Sequence, residues 1–573
     1  MSIVATVERP AEAACGPSPE LDSSDRHLHA AVARLTGGLS PVSMLEAWQD
    51  WALHLAASPA RQWDLAKAAG QEVFRPLTTP ASVETDTDPR FRGEAWRQWP
   101  FNAYAAAFQG WEQWWRAATT GVPGVRDRNE RIVAFAARQA LDMVSPSNFV
   151  ATNPEILARA ATTGGASLAE GATNYMKDLL DLASAPQPSP FKVGRDVAAT
   201  PGEVVARTPL AEIIQYRPTT GQVHPEPVVI VPAWIMKYYI LDLSPADSLV
   251  RALVAEGFTV FMVSWKNPGV EDRDRGFADY RKLGVMAAID AACRVTGSTK
   301  VNAVGYCLGG TLLTMTAAAM ARDGDGRIGS LTLLAAQADF TEAGELSLFV
   351  NESQIALLEN MMADVGYLRP EQMAATFQVL KANDLIWSRM IHEYLMGEPR
   401  EVLALDAWSQ DTTRLPFQME SENLRGLYLN NDLAEGRFCV AGRPVALRDI
   451  DAPMFVLATE TDHIAPWRSV YKLLLLCEAP ITFVLTNHGH NVGIVAPPGG
   501  SPRRHRVRQQ RARGRYMAPD AWFAATPAEA GSWWPVWFDW LRARSGALVA
   551  PPPIGAEGLA PLEPAPGSYV LEG

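Results

Sequence analysis

The segment VNAVGYCLGG, residues 301–310, begins as a short apolar strand and leads into a small-residue helix predicted over residues 311–321. Cys307 lies between them in a G-x-C-x-G pattern, the layout of a nucleophile elbow with cysteine where serine is usual. Glycines flank the nucleophile because the turn is sharp and needs room on both sides. A thiolate that attacks a thioester forms another thioester, so a cysteine elbow favours acyl transfer over ester hydrolysis. The alternative is a buried structural cysteine between two packing glycines.

Short apolar strands alternate with helices on both sides of this elbow. We expect strands at 210–216, 228–231, 259–264, 300–306, 330–335, 454–459 and 481–486, and helices at 246–256, 280–295 and 534–544. This alternation is typical of a mainly parallel sheet covered by helices on both faces. The sequence therefore predicts an α/β-hydrolase fold.

The length of 573 residues exceeds that of one ordinary core, so several regions are expected. We predict a disordered N-terminus at 1–40 and a helical N-terminal domain at 41–190. The hydrolase core is expected in two parts, 191–338 and 451–573, the second ending in a proline-rich tail. Between them, residues 339–450 are predicted to form a helical cap, because the strand–helix alternation stops there.

The amino-acid composition of the chain excludes some classes of function. The net charge of −12 gives no electrostatic basis for binding nucleic acid. The five cysteines are scattered without a C-x-x-C pair, so neither a disulfide framework nor a metal site is indicated, and a reducing cytoplasm fits best. We expect no export signal, because residues 1–25 lack an apolar core, and no membrane span.

A nucleophile at Cys307 requires a base and an acid that orients the base. In this fold both follow the nucleophile in the chain, each on a loop after a strand. Asp462 follows the strand 454–459, and Glu460 is its nearest rival. His490 and His488 both follow the strand 481–486, and His490 is favoured because it lies further along the loop after a glycine.

An oxyanion is expected to bind two backbone N–H groups. One should belong to Leu308, directly after the nucleophile. The other should lie in the loop after the strand 228–231, and Ile235 is our candidate.

Several segments outside the elbow resemble the polyhydroxyalkanoate (poly-3-hydroxybutyrate) synthases, of the class I-like single-subunit type. They are DMVSPSNF at 142–149, TNPE at 152–155, VPAWIMKYYILDL at 231–243, SWKNP at 264–268, NDLIW at 383–387, DHIAPW at 462–467, GSWWP at 531–535 and EPAPGSYV at 563–570. The resemblance extends from about Trp96 to the C-terminus and includes both domains.

The resemblance implies a catalytic triad of Cys307, His490 and Asp462. It implies an acyltransferase that polymerises 3-hydroxyacyl-CoA into polyhydroxyalkanoate and releases CoA. The CoA thioester is then a substrate, and no cofactor is expected. A polymer chain on a cytoplasmic granule and a second copy of the chain, as a homodimer, are the implied partners.

The chain departs from the family at three places. Met236 stands where the family usually has asparagine, and the residues after Asn491 are less apolar than usual. An arginine cluster at 503–515 is also unfamiliar; such a cluster is usually a solvated loop, but Arg503, Arg504 and Arg506 are candidates to bind the phosphates of CoA.

Two other functions remain open. One is a cysteine hydrolase of the dienelactone or thioester type, whose elbow is almost identical. The other is a granule-associated paralogue with little or no turnover.

Overall fold

The computed structural model describes residues 40–78, 88–182, 189–373, 386–399, 402–499 and 502–573. The predicted disordered N-terminus lies outside these residues, apart from Ser40. The chain divides into two units, one formed by 35–189 with 371–402 and the other by 190–370 with 403–573. The predicted cap at 339–450 thus contributes to both units, and its bounds, like those of the other predicted domains, stay a prediction.

The unit formed by 35–189 and 371–402 is helical. Capping side chains begin two of its helices, because the Ser40 hydroxyl accepts from the Ser43 N–H and the Asn153 side chain accepts from Glu155. The helices are α1 (Pro41–Ala56), α2 (Pro59–Thr78), α3 (Phe101–Thr119), α4 (Asp127–Met143), α5 (Pro154–Thr162) and α6 (Ala166–Leu182), with a π-helical segment at Met390–Leu395. Phe91, Trp96 and Phe108 form a buried aromatic cluster in this unit.

The described residues of the other unit form one large sheet and two short strand pairs. Its strands are β1 (Gly202–Arg207), β2 (Ala211–Tyr216), β3 (Val228–Val231), β4 (Val260–Trp265), β5 (Val301–Tyr306), β6 (Ile328–Leu334), β7 (Tyr367–Leu368), β8 (Leu415–Pro416), β9 (Cys439–Val440), β10 (Arg443–Pro444), β11 (Met454–Thr459), β12 (Ile481–Thr486), β13 (Arg504–Gln510), β14 (Glu529–Ala530) and β15 (Glu563–Pro564).

Among the described residues, the large sheet has the strand order β14-β13-β12-β11-β6-β5-β3-β4-β2-β1-β15. The strands from β4 through β3, β5, β6 and β11 to β12 are parallel, and antiparallel strands extend the sheet at both ends. Every residue of β3, β4, β5, β11 and β12 is buried. Continuous apolar segments such as VVIV in β3 fit this position, because a central parallel strand is covered on both faces.

The helices of this unit connect the strands or belong to the insertion after β6. They are α7 (Leu249–Ala255), α8 (Phe277–Tyr280), α9 (Ala287–Thr296), α10 (Leu308–Arg322), α11 (Glu352–Val365), α12 (Ala404–Gln410), α13 (Phe417–Glu422), α14 (Trp467–Tyr471), α15 (Leu473–Leu476), α16 (Pro519–Ala525) and α17 (Trp534–Arg542), with π-helical segments at Arg281–Met286 and Asn423–Leu429. Helix α10 packs on β5, and each of its residues from Leu308 to Met320 is buried.

Part of the arginine cluster forms strand β13, whereas Arg511, Arg513 and Arg515 follow it outside any helix or strand. Strand β13 pairs antiparallel with β12, from Ile481 opposite Gln510 to Thr486 opposite His505. The side chains of a strand alternate between its two faces. His505 is buried and Val507 is half-buried, whereas Arg504 and Arg508 on either side of this pair are exposed. A charged strand at the side of a sheet also discourages pairing with other chains.

Within the described ranges, no helix combines the length and apolar character required to cross a bilayer.

Candidate active site

Cys307 lies at the sharp turn between β5 and α10. Its backbone has φ 52° and ψ −130°, a strained conformation for a residue with a side chain. The turn is fixed by hydrogen bonds from the Cys307 N–H to the Leu334 carbonyl (2.9 Å) and from the Gly310 N–H to the Cys307 carbonyl (2.9 Å). This geometry is that of the predicted nucleophile elbow.

The elbow glycines allow close backbone approach. A Cβ at Gly305 would collide with the Cα of Gly310, where the strand meets the first turn of the helix. A Cβ at Gly309 would collide with the carbonyl oxygens of Val231 and Pro232. The second contact brings the start of the loop after β3 against the first turn of α10.

The two candidate oxyanion donors lie on these adjoining segments. Within the part of the chain that the structure describes, the N–H groups of Leu308 and Ile235 have no hydrogen-bond acceptor. The Ile235 loop is held by Thr413, whose hydroxyl donates to the Trp234 carbonyl (2.8 Å) and whose N–H donates to the Ile235 carbonyl (3.4 Å). Two unengaged donors near a nucleophile suit a developing oxyanion, and the role of both groups stays a prediction.

His490 and Asp462 form a buried pair on the loops after β12 and β11. The distance between His490 Nδ1 and Asp462 Oδ2 is 2.7 Å, and both side chains are almost completely buried. Asp462 also accepts from the Ile464 and Ala465 N–H groups (2.9 Å each) and from the Thr459 hydroxyl (3.0 Å). A carboxylate fixed in this way orients the imidazole and leaves its Nε2 for another partner.

The charges in this site determine the protonation of the pair. Burial lowers the pKa of His490, but the charge of Asp462 and the interaction with Cys307 outweigh burial and raise the pKa to about 10. Burial raises the pKa of Asp462, whereas the charge and hydrogen bond of His490 and the two backbone donors lower it overall. The directions of the two shifts favour a protonated His490 beside an ionised Asp462, and the role of His490 as the base for Cys307 stays a prediction.

The rival residues lie elsewhere in the same loops. His488 has φ 71°, and its Nε2 is buried without a partner among the described residues. Glu460 pairs with Arg504 (2.7 Å). The structure thus joins His490, and not His488, to Asp462, and Glu460 has a different partner.

Three further side chains support the site and are not among the predicted site residues. The Tyr306 hydroxyl donates to Asn491 Oδ1 (2.6 Å), and the Tyr306 ring lies 5.5 Å from the His490 ring. Thr459 donates to Asp462 as described. Their positions in the sequence could have indicated two of them, because Tyr306 directly precedes the nucleophile and Asn491 directly follows the base.

The three candidate phosphate-binding arginines have partners within the chain. Arg503 donates to backbone carbonyls of the His490 loop, and Arg504 pairs with Glu460. Arg506 donates to the Thr526 carbonyl and stacks 4.2 Å from the Phe523 ring. Arg504 is the most exposed of the three, and their role toward CoA stays a prediction.

No group of three or more His, Cys, Asp or Glu side chains placed to hold a metal ion occurs in the described ranges.

Three protein families match parts of the chain. Residues 87–253 match the family described as poly-beta-hydroxybutyrate polymerase (PhaC) N-terminus, and residues 19–61 match poly-beta-hydroxybutyrate polymerase N terminal. Residues 226–497 match the alpha/beta hydrolase fold, which confirms the predicted fold class.

Individual relatives are similar over most of their length. The poly(3-hydroxyalkanoate) polymerase of Methylorubrum extorquens is 40% identical over 506 residues, which cover 86% of this chain and 82% of that protein. The poly(3-hydroxyalkanoate) polymerase subunit PhaC of Rhizobium meliloti is 36% identical, covering 90% of this chain and 84% of the relative. The subunit PhaC of Cupriavidus necator is 38% identical, with coverages of 84% and 83%. The similarity therefore extends through both units of the chain.

Proposed function

The chain belongs to the poly(3-hydroxyalkanoate) polymerase family, and from this membership we propose that it polymerises 3-hydroxyacyl groups from CoA thioesters through a thioester on Cys307. The observation that carries the proposal is the position of Cys307 in a nucleophile elbow beside a His490–Asp462 pair joined at 2.7 Å. The relatives are named as poly(3-hydroxyalkanoate) polymerases, which agrees with transfer to a growing chain rather than to water.

The first half of the cycle loads the enzyme. His490 takes the proton of the Cys307 thiol, and the thiolate attacks the carbonyl carbon of the acyl-CoA. The N–H groups of Leu308 and Ile235 donate to the oxyanion. The bond from the carbonyl carbon to the sulfur of CoA breaks, CoA takes the proton from His490, and the acyl group remains on Cys307 as a thioester.

The second half forms the ester bond. The hydroxyl of one hydroxyacyl group attacks the thioester carbonyl of a second acyl group, and His490 accepts the hydroxyl proton. Asp462 orients His490 and stabilises the imidazolium that forms. The attacked thioester breaks, the released sulfur recovers the proton, and the chain is longer by one ester unit.

Cysteine suits this cycle for a thermodynamic reason. Exchange of one thioester for another is nearly balanced, so the bound acyl group keeps the reactivity needed for the ester bond. A serine ester at the same position would lose that reactivity on loading. The elbow cysteine therefore supports transfer, although a cysteine hydrolase shares the loading step.

The partners included in this proposal are 3-hydroxyacyl-CoA, the polymer at a granule surface in the cytoplasm, and a second copy of the chain. The CoA thioester is the substrate and free CoA the product, and we include no cofactor. Exposed aromatic side chains in the helical unit, among them Trp63, Trp99 and Trp111, support contact with an apolar polyester surface. Arg503, Arg504 and Arg506 remain the candidates for the CoA phosphates, with Arg504 the most accessible.

The test is CoA release from 3-hydroxybutyryl-CoA and from a hydroxyacyl-CoA of octanoyl length, with the product examined for polymer. We expect release with polymer from the natural protein and neither from Cys307→Ala. Cys439→Ala is the matched control, because Cys439 is exposed on a short strand outside the site. Release of free hydroxy acid without polymer would favour the hydrolase, and no release from either substrate would favour the inactive paralogue.

A further inference from the structure

The loop that carries His490 is held by side chains from two distant segments. Five consecutive carbonyl oxygens, from Val492 to Ala496, each accept a hydrogen bond from a side chain. These residues form turns rather than a helix or strand. Their carbonyls therefore lack the backbone N–H donors of a helix or sheet and need other donors. We call the four donor residues the carbonyl clamp: Arg503, Ser532, Trp533 and Trp534.

Arg503 binds the two sides of the turn. Its Nη1 donates to the Val492 carbonyl (2.7 Å) and its Nη2 to the Val495 carbonyl (3.1 Å). Its own carbonyl accepts from the Gly531 N–H (2.8 Å), which joins it to the segment that carries the other three donors.

Ser532, Trp533 and Trp534 supply the remaining bonds. Trp533 Nε1 donates to the Gly493 carbonyl (2.9 Å), and Trp534 Nε1 donates to the Ile494 carbonyl (3.1 Å). The Ser532 hydroxyl donates to the Ala496 carbonyl. Both indole rings are at most 2% exposed, so loss of either N–H would leave a carbonyl without a partner in a dry region.

The clamped residues are connected to the base. The N–H of Gly493 donates to the Gly489 carbonyl (2.8 Å), which closes a tight turn around His490. The N–H groups of Ile494 and Val495 donate to the Asn491 carbonyl (3.0 and 2.9 Å). A shift of Gly493 therefore moves both neighbours of His490.

We propose that the carbonyl clamp positions His490 against Cys307, with Trp533 as its main contributor because its acceptor Gly493 closes the turn around the base. The proposal rests on the proposed role of His490 as the base. The clamp residues touch no reacting atom, so they are positioning residues. Their effect is on proton transfer, since small displacements of a base are costly in rate.

The readout is alkylation of Cys307 by iodoacetamide, which requires the thiolate. Its rate is followed across pH by mass spectrometry of the Cys307 peptide, so no knowledge of the natural substrate is needed. Trp533→Phe removes the donor to Gly493. Trp537→Phe is the matched control, because Trp537 is equally buried and its Nε1 donates to Thr332 in the sheet (2.9 Å).

We expect Trp533→Phe to slow Cys307 alkylation at neutral pH by about tenfold and to move the midpoint of the pH profile upward. Trp537→Phe should keep the profile of the natural protein. An unchanged profile for Trp533→Phe, or equal changes in both variants, would overturn the proposal.

A second pair of variants covers the case in which Trp533→Phe does not fold. Arg503→Ala removes the two donors to Val492 and Val495, and Arg544→Ala is its control, because Arg544 is also half-buried and donates to the Trp540 carbonyl (2.8 Å). We expect slower alkylation only in Arg503→Ala, by about threefold or more, with partial recovery in Arg503→Lys. Equal rates in Arg503→Ala and Arg544→Ala would overturn the clamp.

His490→Ala separates failure of the clamp from failure of the proposed function. Slow alkylation in His490→Ala with a normal Trp533→Phe means that the base acts but the clamp does not position it. Normal alkylation in His490→Ala means that the base itself is wrong, which overturns both.

Discussion

The elbow around Cys307 and the loop around His490 reach fixed geometries by different means. The elbow is determined locally, because its glycines permit backbone approach and its hydrogen bonds lie within the strand, the helix and the neighbouring strand β6. The His490 loop has little regular structure and depends on Asp462, Arg503 and the 532–534 segment. A nucleophile can therefore be encoded in ten residues, whereas its base requires contacts from across the unit.

Asp462→Asn should have the largest effect, because it removes the charge and the acceptor that orient His490. We expect CoA release to fall by about 10³–10⁴-fold. Steady-state kinetics with 3-hydroxybutyryl-CoA measure this loss. Glu460→Gln is the control and should cost less than about threefold, since Glu460 pairs with Arg504 instead. Equal losses in both variants would contradict the assignment of Asp462, and not Glu460, as the acid that orients His490.

The second prediction compares one glycine from each region. Gly309→Ala places a methyl group against the carbonyls of Val231 and Pro232, and we expect it to lower the free energy of unfolding by about 3 kcal/mol or more. Gly489→Ala places its methyl 3.7 Å from the Thr461 carbonyl oxygen and should cost less than about 1 kcal/mol. Urea unfolding of both variants measures the difference, and a stable Gly309→Ala would contradict the close approach of α10 to the loop after β3.

The third prediction concerns pH and the buried pair. His490 has an ordinary pKa of 6.5 and a pKa of about 10 in the folded chain, so its folded state binds the proton more tightly. The stabilisation is fully present below pH 6.5 and is lost as pH rises through 10, by at most about 1.4 kcal/mol per pH unit. Urea unfolding across this range should show a flatter pH dependence for His490→Gln than for the natural protein. Parallel curves would contradict the charge pairing.

The smallest predicted effect is at the arginine strand. If Arg504 binds a CoA phosphate, Arg504→Gln should raise KM for the CoA thioester by about two- to fivefold and leave kcat nearly unchanged. The KM of the natural protein should also rise with salt, and that dependence should weaken in the variant. Arg513→Gln is the control, because Arg513 is exposed and pairs with Glu478. An unchanged KM in Arg504→Gln would mean that Arg504 does not bind a CoA phosphate and only pairs with Glu460.

The sequence predicts those parts of the fold whose signals are local. The apolar segments at 228–231, 454–459 and 481–486 coincide with β3, β11 and β12, and the G-x-C-x-G pattern coincides with the elbow. The triad candidates follow because chain order is fixed in this fold. Choosing His490 over His488 needed only the position in the loop.

Other features depend on contacts that no local pattern shows. Strand β13 was not predicted, because its three arginines obscure the alternation that buries His505. Trp533 and Trp534 are recognisable as part of a family segment, but their donation to Gly493 and Ile494 depends on packing between segments 40 residues apart. The pair between Tyr306 and Asn491 likewise joins residues 185 positions apart.

The most direct test of the central claim is to identify the residue that carries the acyl group. The protein is mixed with isotope-labelled 3-hydroxybutyryl-CoA, quenched in acid and digested, and the peptides are examined by mass spectrometry. The same measurement is made in parallel with a labelled hydroxyacyl-CoA of octanoyl length. We predict label on the peptide that contains Cys307 in the natural protein and none in Cys307→Ala. Label on any other residue, or CoA release and polymer from Cys307→Ala, would contradict the account.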